Sequence, residues 1–414
     1  MIPLDEAQRF VLSTLVPLPV VELALGEALG CVVGEEIVAR EPVPGFANSS
    51  MDGYALRSID VAVAPVRLDV VGSVMAGDVS ALRVGPGQAV RIMTGAPVPE
   101  GADCVCMIEE ATVGPGGLAV VISRSIATGE FIRGPGSDVA VAQVLVTAGE
   151  ELGPAHLGVL ASQGIGSISV RPRPRVGVLS TGNELAATLD ELGDAKIHDA
   201  NRPALLALLR QSGFVPVDLG IADDDVSAIT RRFEQGLLDC DAVISTGGVS
   251  VGDVDYVKTV IGVLCGARAR SMQVAIKPGK PFTFGTTGAT GAPLFGLAGN
   301  PVSTLVGFEL FVRPALRTLS GHRTARRPTT TMVLDCPMPR TRDGKLHLVH
   351  VACGFHQDGR IHVERTMALG SHLLNAVTGA NAIAMVPDGD GLDVGETVQG
   401  LILGPELLAS DERG

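Results

Sequence analysis

A glycine bend followed by two aspartates and a lysine is the most chemically suggestive stretch of this chain. It spans residues 243–258, Val-Ile-Ser-Thr-Gly-Gly-Val-Ser-Val-Gly-Asp-Val-Asp-Tyr-Val-Lys. Asp241 to Ser245 has the length and β-branched content of a buried strand. Thr246, Gly247 and Gly248 let the backbone turn tightly, and a helical pattern resumes near Val254. Such a strand, loop and helix aim free amide N–H groups and a helix dipole at one point, which suits an anion. Asp253 and Asp255 beside that cradle would repel a phosphate unless a hard cation such as Mg²⁺ bridged them. Further on, Lys277 and Lys280 flank Pro278 and Gly279, a rigid turn that can aim two ammonium groups at one oxyanion.

These residues need a frame that brings them together. Residues 175–320 alternate strand and helix patterns, which predicts βα units and a mainly parallel sheet. Strands are expected at Arg175 to Ser180, Phe214 to Leu219, Asp241 to Ser245, Phe282 to Phe284 and Leu294 to Leu297. A helix from Arg202 to Ser212 has Asn201 as its expected cap and Pro203 in its first turn; another is capped within Asp223, Asp224 and Asp225. Two strands run into Ser-Thr-Gly, at 180–182 and 245–247, and a third into Gly-Asn-Pro at 299–301. In a parallel sheet all these ends lie on one edge, where ligands bind. Thr181, Gly182, Gly247, Gly248, Asn300 and Pro301 would therefore line one crevice, with Glu184, Asp224 and Asp255 on the same edge.

The flanks read as packing and β structure. An N-terminal helix carries Ala7, Phe10, Val11 and Leu15 at helical spacing with Asp5 as cap, and a second short element around Val20 to Leu29 ends at Gly30, read as a helix stop. Short β runs punctuated by Gly and Pro fill residues 40 to 135, and Pro154 opens a helix that ends near Gly164. Within the β region, 46–55 is dense in small polar side chains around Asp52, and 91–99 runs from a strand into Thr94-Gly95. After Arg326, strands at 329–334, 346–352, 361–366, 382–386 and 398–403 broken by Asp-Gly turns predict a β domain. His347 and His356 read as surface or core side chains, since no Cys or carboxylate is spaced to complete a metal site.

The net charge of −13 argues against a nucleic-acid groove or an anionic membrane as partner, so an anionic ligand needs local lysines. The seven scattered cysteines, with Cys104 and Cys106 on one strand face, suit a reducing cytoplasm. Neither a signal peptide nor a membrane-spanning run is apparent.

Six motifs in order carry a resemblance: S-S-M-D-G-Y-A (49–55), R-I-M-T-G-A-P-V-P-E-G-A-D (91–103), S-T-G-N-E-L (180–185), T-G-G-V-S-V-G-D-V-D-Y (246–256), I-K-P-G-K-P (276–281) and G-N-P-V-S (299–303). Nearly end to end, the chain resembles the molybdopterin molybdenumtransferase (MoeA) family, which includes the gephyrin E domain. The resemblance implies an elongated homodimer of four-domain subunits. Their expected bounds are 1–40 with 136–172 (composite N-terminal), 41–135 (inserted small β), 173–322 (molybdopterin-binding α/β) and 326–408 (C-terminal, β-barrel-like). It also implies the final step of molybdenum cofactor synthesis, in which adenylylated molybdopterin and molybdate give the cofactor and AMP. Asp255 and Ser250, with Glu184 and Asp224, would then serve the nucleotide phosphates and Mg²⁺. Asp52 and Thr94 would come from the other subunit, and Lys277, Lys280, Pro281 and Ser371 would form the molybdate pocket. A molybdopterin adenylyltransferase and molybdoenzymes are the implied protein partners.

Three positions depart from the family pattern. His350 stands where an arginine is common beside the molybdate pocket, Gln273 replaces a base, and Leu297-Ala298-Gly299 replaces Leu-Pro-Gly. A neutral His or Gln does not replace a guanidinium, so altered oxyanion selectivity is one alternative reading. Others are a non-catalytic molybdopterin-binding scaffold and the adenylyltransferase of the preceding step, against which the flanking domains speak. No Ser-His-Asp or Cys-His nucleophile is apparent, so no covalent enzyme intermediate is expected.

Overall fold

The computed structural model describes residues 1–78, 81–186, 195–247, 255–288, 290–366 and 372–404. At its centre is a six-stranded sheet, whose elements we number in chain order: β1 (Arg175–Thr181), α1 (Asn201–Gln211), β2 (Val215–Ala222), α2 (Val226–Asp239), β3 (Ala242–Thr246), α3 (Tyr256–Cys265), β4 (Arg270–Gln273), β5 (Pro281–Thr286), β6 (Pro293–Leu297) and α4 (Pro301–Gly307). The strand order is β2-β1-β3-β6-β5-β4. The first four are mutually parallel; β5 pairs antiparallel with β6, and β4 pairs antiparallel with β5 at the edge. The chain steps from β1 outward to β2 and then back across to β3, so the strand order reverses beside β1, the place where open α/β sheets bind ligands.

The sheet is apolar on both faces, as a parallel sheet covered by helices must be. Ala242, Ile244, Phe295 and Leu297 join one core with Leu205 and Leu209 of α1. Val243 and Leu294, alternating with them, join the other core with Phe233 of α2 and Val257 and Ile261 of α3.

The N-terminal helix spans Leu4–Ser13, follows Pro3 as N-cap and holds Asp5 within its first turn, so Asp5 is not the cap. Its Ala7 and Val11 pack into the central core with Val176 and Phe284, and Gln8 donates to Leu310 O at 2.9 Å. This helix, expected with the composite N-terminal domain, thus buries its apolar face against the α/β sheet. The stretch Val20 to Leu29 forms the strand Val21–Ala24 and a 3₁₀ turn, Leu25–Glu27, in place of a helix. Val21–Ala24 pairs antiparallel with Ser167–Arg171, an edge that outweighs local helix propensity. Pro154–Ser162 is helical.

The small β region contains a six-stranded sheet in which Gly53–Leu56 lies between Cys104–Met107 and Gln88–Ile92. Cys104 and Cys106 share its core with Tyr54 and Leu56. In the C-terminal region Leu346–Phe355, Ile361–Thr366, Thr329–Leu334, Thr397–Ile402 and Ala382–Val386 close into a five-stranded barrel. The short strand Ile276–Lys277 adds to it in parallel register with Leu346 and His347, which joins the lysine turn to the barrel.

Candidate functional site

Strand register sets the first part of the site. Thr181 aligns with Ala222, Ser180 with Thr246, and Thr246 with Leu297. The next residues, Gly182, Asp223, Gly247 and Ala298, therefore leave the sheet along one edge, and Asn300 and Pro301 follow as the N-cap and first residue of α4.

Close backbone packing shapes this edge. A Cβ on Gly247 would lie 2.2 Å from Thr181 O, and its φ is +99°, so only glycine lets the two loops meet. Asn201 ties the loops together: its Nδ2 donates to Thr246 Oγ1 at 2.8 Å and to Gly299 O at 2.6 Å. Expected as a helix cap, Asn201 is instead the first residue of α1, and Asp199 Oδ1 accepts from the Arg202 N–H at 3.2 Å. Asp199 also accepts from the buried Ser180 hydroxyl at 3.0 Å and from Arg202 Nε at 2.9 Å.

Glu184 lies over Gly182, its carboxylate within 2.7 Å of where a Cβ on that glycine would sit. Asp224 is fixed by its N–H, which donates to Asn183 Oδ1 at 3.0 Å, while Asp225 caps α2 by accepting from Ala228 N–H at 2.8 Å. Burial, reinforced by the charges of Glu184 and Asp223, raises the Asp224 carboxyl above its usual range. Asp255 is the N-cap of α3, its Oδ1 accepting from Lys258 N–H at 2.8 Å, and burial raises its carboxyl as well. The structure thus groups Glu184 with Asp224, while Asp255 stands on the neighbouring helix start with Lys258 as its charge neighbour. Three buried polar atoms on this edge lack a hydrogen-bond partner among the described residues: Thr181 Oγ1, Asn201 Oδ1 and Asp224 Oδ1. Native proteins leave few such atoms, so each marks a place for a ligand, water or ion. Gly248, Ser250 and Asp253 lie outside the described residues, as does Ser371.

The second part is a cavity of about 760 Å³ between the lysine turn and the barrel. Lys277, Lys280, Pro281 and His350 all line it, as does the first turn of α4 through Val302 and Ser303. Lys277 and Lys280 have no ion-pair partner among the described residues. His350 is 6% exposed, and burial pulls its imidazole down to about 4, so it is neutral at physiological pH. The cavity lining also holds a charged group the sequence reading missed: Arg340 and Lys345, with His347 beside Lys277 in the strand pairing. Asp343 binds all three, at 3.0 Å from Arg340 Nη2, 2.9 Å from Lys345 Nζ and 3.2 Å from His347 Nε2. Those donors, Lys345 foremost, hold Asp343 well below the carboxylate range. A charged Arg-x-x-Asp-x-Lys-x-His run beside an Asp-Gly turn was the available signal, but it reads equally as a solvated turn.

The two parts flank α4. Asn300 and Pro301 lead in from the sheet edge, and Gly279 of the lysine turn packs beside Ser303 O and Val306. Asp52 and Thr94 lie exposed on the small β sheet, where Thr94 N–H and Oγ1 donate to Asp52 Oδ1 at 2.7 and 2.8 Å. These bonds hold the Asp52 carboxyl below its usual range. Gly53 fixes their backbone, since a Cβ there would fall 1.8 Å from Cys106 O.

Comparison with known proteins agrees over nearly the whole length. Residues 2–164 match the MoeA N-terminal region (domain I and II), 177–318 a probable molybdopterin binding domain, and 334–403 the MoeA C-terminal region (domain IV). The molybdopterin molybdenumtransferase of Bacillus subtilis (strain 168) is 36% identical, covering 98% of this chain and 95% of its own. Molybdopterin molybdenumtransferase 2 of Mycobacterium tuberculosis (H37Rv) is 36% identical over 93% of this chain and 95% of its own. The crystal structure of a molybdopterin biosynthesis MoeA protein from Pyrococcus horikoshii OT3 superposes with a TM-score of 0.80 at 28% identity, covering 97% of this chain and all of that one. With the α/β crevice, the lysine-lined cavity and the closed barrel all in place, the chain belongs to the MoeA family of molybdopterin molybdenumtransferases.

Proposed function

We propose that the protein inserts molybdenum into adenylylated molybdopterin, using molybdate and releasing AMP, the final step of molybdenum cofactor synthesis. The observation that carries this is the meeting of two sites, the carboxylate-bearing sheet edge and the lysine cavity, across the first turn of α4. One suits a nucleotide-bearing substrate, the other an oxyanion, and their adjacency suits a transfer between them.

Thr181, Gly182, Gly247, Gly248, Ser250, Asn300 and Pro301 take the organic substrate, with the unpaired Thr181 Oγ1 and Asn201 Oδ1 as its hydrogen-bond partners. Glu184 and Asp224, with the orphaned, buried Asp224 oxygen, are a donor set for a hard dication such as Mg²⁺, and Asp255 at the start of α3 is the third proposed carboxylate. When bound, Mg²⁺ neutralises the pyrophosphate and the charge developing on departing AMP. Lys277 and Lys280 attract and orient molybdate, Pro281 lines its seat, and His350 contributes a neutral hydrogen-bonding imidazole; Ser371 is a further molybdate residue on the family pattern alone. Relative to a guanidinium, that neutral group weakens oxyanion affinity; the altered-selectivity reading follows from it.

We further propose that the enzyme works as a homodimer in which Asp52 and Thr94 serve the second subunit's crevice. Their described side-chain hydrogen bonds run to each other rather than to any crevice residue. No helix among the described residues is long and apolar enough to cross a membrane. Seven free cysteines, nearly all buried, suit a reducing cytoplasm, which we propose as its compartment.

The test is AMP release from adenylylated molybdopterin, with and without molybdate. An insertase releases AMP and forms cofactor together in response to molybdate; a scaffold binds and releases nothing. Mixing inactive Asp52→Asn and Asp255→Asn proteins tests the shared site. Random reassortment recovers about a quarter of full activity if the two residues act across the dimer, and none if they serve the same subunit.

A further inference from the structure

Outside both sites, the outer face of the C-terminal barrel gathers two histidines and three acids from three segments. Asp335 follows the strand Thr329–Leu334, and its N–H donates to Val363 O at 3.0 Å, which sets it beside His362. His362 and Glu364 alternate on the outer face of Ile361–Thr366 while Val363 between them is buried. His356 follows Leu346–Phe355 and opens the turn that holds Asp358, a turn closed by His356 N–H donating to Arg360 O at 3.0 Å. The two imidazole rings stack with centroids 4.1 Å apart and planes within 8°. One ligand atom each from Asp335, His356 and His362 lies within 4.8 Å of the others.

We propose that Asp335, His356 and His362 form a site for a borderline divalent transition metal, of which Zn²⁺ is the type, with Glu364 as fourth ligand. His356 Nε2 stands 3.7 Å from Asp335 Oδ2 and 3.6 Å from Glu364 Oε1. Those separations are too long for hydrogen bonds. They are near the edge of a tetrahedron with bonds of about 2.05 Å, roughly 3.4 Å. His362 Nδ1 is hydrogen-bonded to Asp335 Oδ1 at 2.8 Å, a bond that a shared ion replaces, and its Nε2 is 3.1 Å from Asp358 Oδ2. Asp358 is then the outer carboxylate that fixes ring orientation, the usual support of a metal-binding histidine. Two imidazoles favour Zn²⁺, Ni²⁺ or Cu²⁺ and disfavour Mg²⁺, so the site is chemically separate from the carboxylates of the crevice. A bound ion clips the hairpin turn to the end of the neighbouring strand.

The experiment titrates metal-stripped full-length protein with Zn²⁺ against a chromophoric chelator, in excess MgCl₂, and follows Co²⁺ by visible absorption. The expected result is one equivalent per chain and a Co²⁺ spectrum typical of a four-coordinate nitrogen and oxygen site. Asp335→Asn and His362→Ala weaken binding by about a hundredfold and Asp358→Asn by about tenfold. Cys336→Ser and His156→Ala leave it unchanged; Cys336 packs against the barrel interior, and His156 is on another domain. His356→Gln, at a partly exposed position, decides the matter if His362→Ala does not fold. Absence of saturable one-equivalent binding would overturn the site, and so would undiminished binding by His356→Gln. The first outcome would mean that the cluster is an ion pair in which a protonated His362 donates to both Asp335 and Asp358.

Discussion

Asn201 offers a prediction in which two opposed terms can be weighed. Asn201→Ala removes two hydrogen bonds, to Thr246 Oγ1 and Gly299 O. At about 0.5–1.5 kcal/mol each, that costs roughly 1–3 kcal/mol. The same substitution removes Asn201 Oδ1, a buried acceptor with no partner among the described residues. Relief of an unsatisfied buried group returns about 1–3 kcal/mol. Thr246 Oγ1 is not stranded, since Ala298 O and Thr304 Oγ1 remain at 3.4 and 3.3 Å. The expected net change for Asn201→Ala is within about 1 kcal/mol of zero. Asn201→Asp keeps the shape but sets a charged acceptor against the Gly299 carbonyl, at a cost of about 3 kcal/mol or more. That corresponds to a fall of roughly 6–12 °C in the melting temperature of a domain of this size. The assay is thermal unfolding of both ligand-free variants, repeated with AMP and Mg²⁺. The ligand-induced rise should shrink in Asn201→Ala, because Oδ1 is a proposed ligand contact. The reasoning fails if the alanine variant melts as low as the aspartate one, or if the ligand stabilises it as much as the parent protein.

Other expectations follow from single contacts. Gly247→Ala should lower stability by about 2 kcal/mol or more through the collision with Thr181 O at positive φ, and AMP release should fall with it. Lys277→Ala and Lys280→Ala should each raise the KM for molybdate about tenfold or more, the worth of one charge-assisted hydrogen bond. Their melting temperatures should stay near the parent value, since neither lysine holds an ion pair among the described residues. His350 makes stability depend on pH. Its folded pKa of about 4 is below the unfolded value of about 6.5, so the unfolded state binds the proton first. Stability is full above about pH 6.5 and falls as pH drops toward about 4, by on the order of 3 kcal/mol. Denaturation across that range should show this loss in the parent and not in His350→Gln.

Most of the scaffold was readable because its signals are local. β-branched runs ending in Ser-Thr-Gly or Gly-Asn-Pro mark strand ends, and one topological rule then puts Thr181, Gly247 and Asn300 on a common edge. The barrel strands were equally plain, with Asp-Gly turns between short apolar runs. What escaped was decided by distant partners. Asn201 before a helix carrying Pro203 reads as a cap, and only the folded sheet offers Thr246 and Gly299 to its amide. Val21–Ala24 is a strand because Ser167–Arg171 lies beside it, 143 or more residues later. Asp343 looks like a turn residue until the fold closes Arg340, Lys345 and His347 around it. Likewise, no carboxylate is spaced along the chain to join His356, yet parallel pairing of the strands before Asp335 and around His362 supplies one.

Asp255→Asn isolates the central claim, that carboxylates at the sheet edge act with the lysine cavity in one reaction. Asparagine caps a helix as well as aspartate does, so the contact to Lys258 N–H and the start of α3 survive while the charge is lost. Molybdate-stimulated AMP release should disappear in this variant, with its melting temperature and molybdate affinity intact. Undiminished, Mg²⁺-dependent AMP release by a folded Asp255→Asn protein would contradict it.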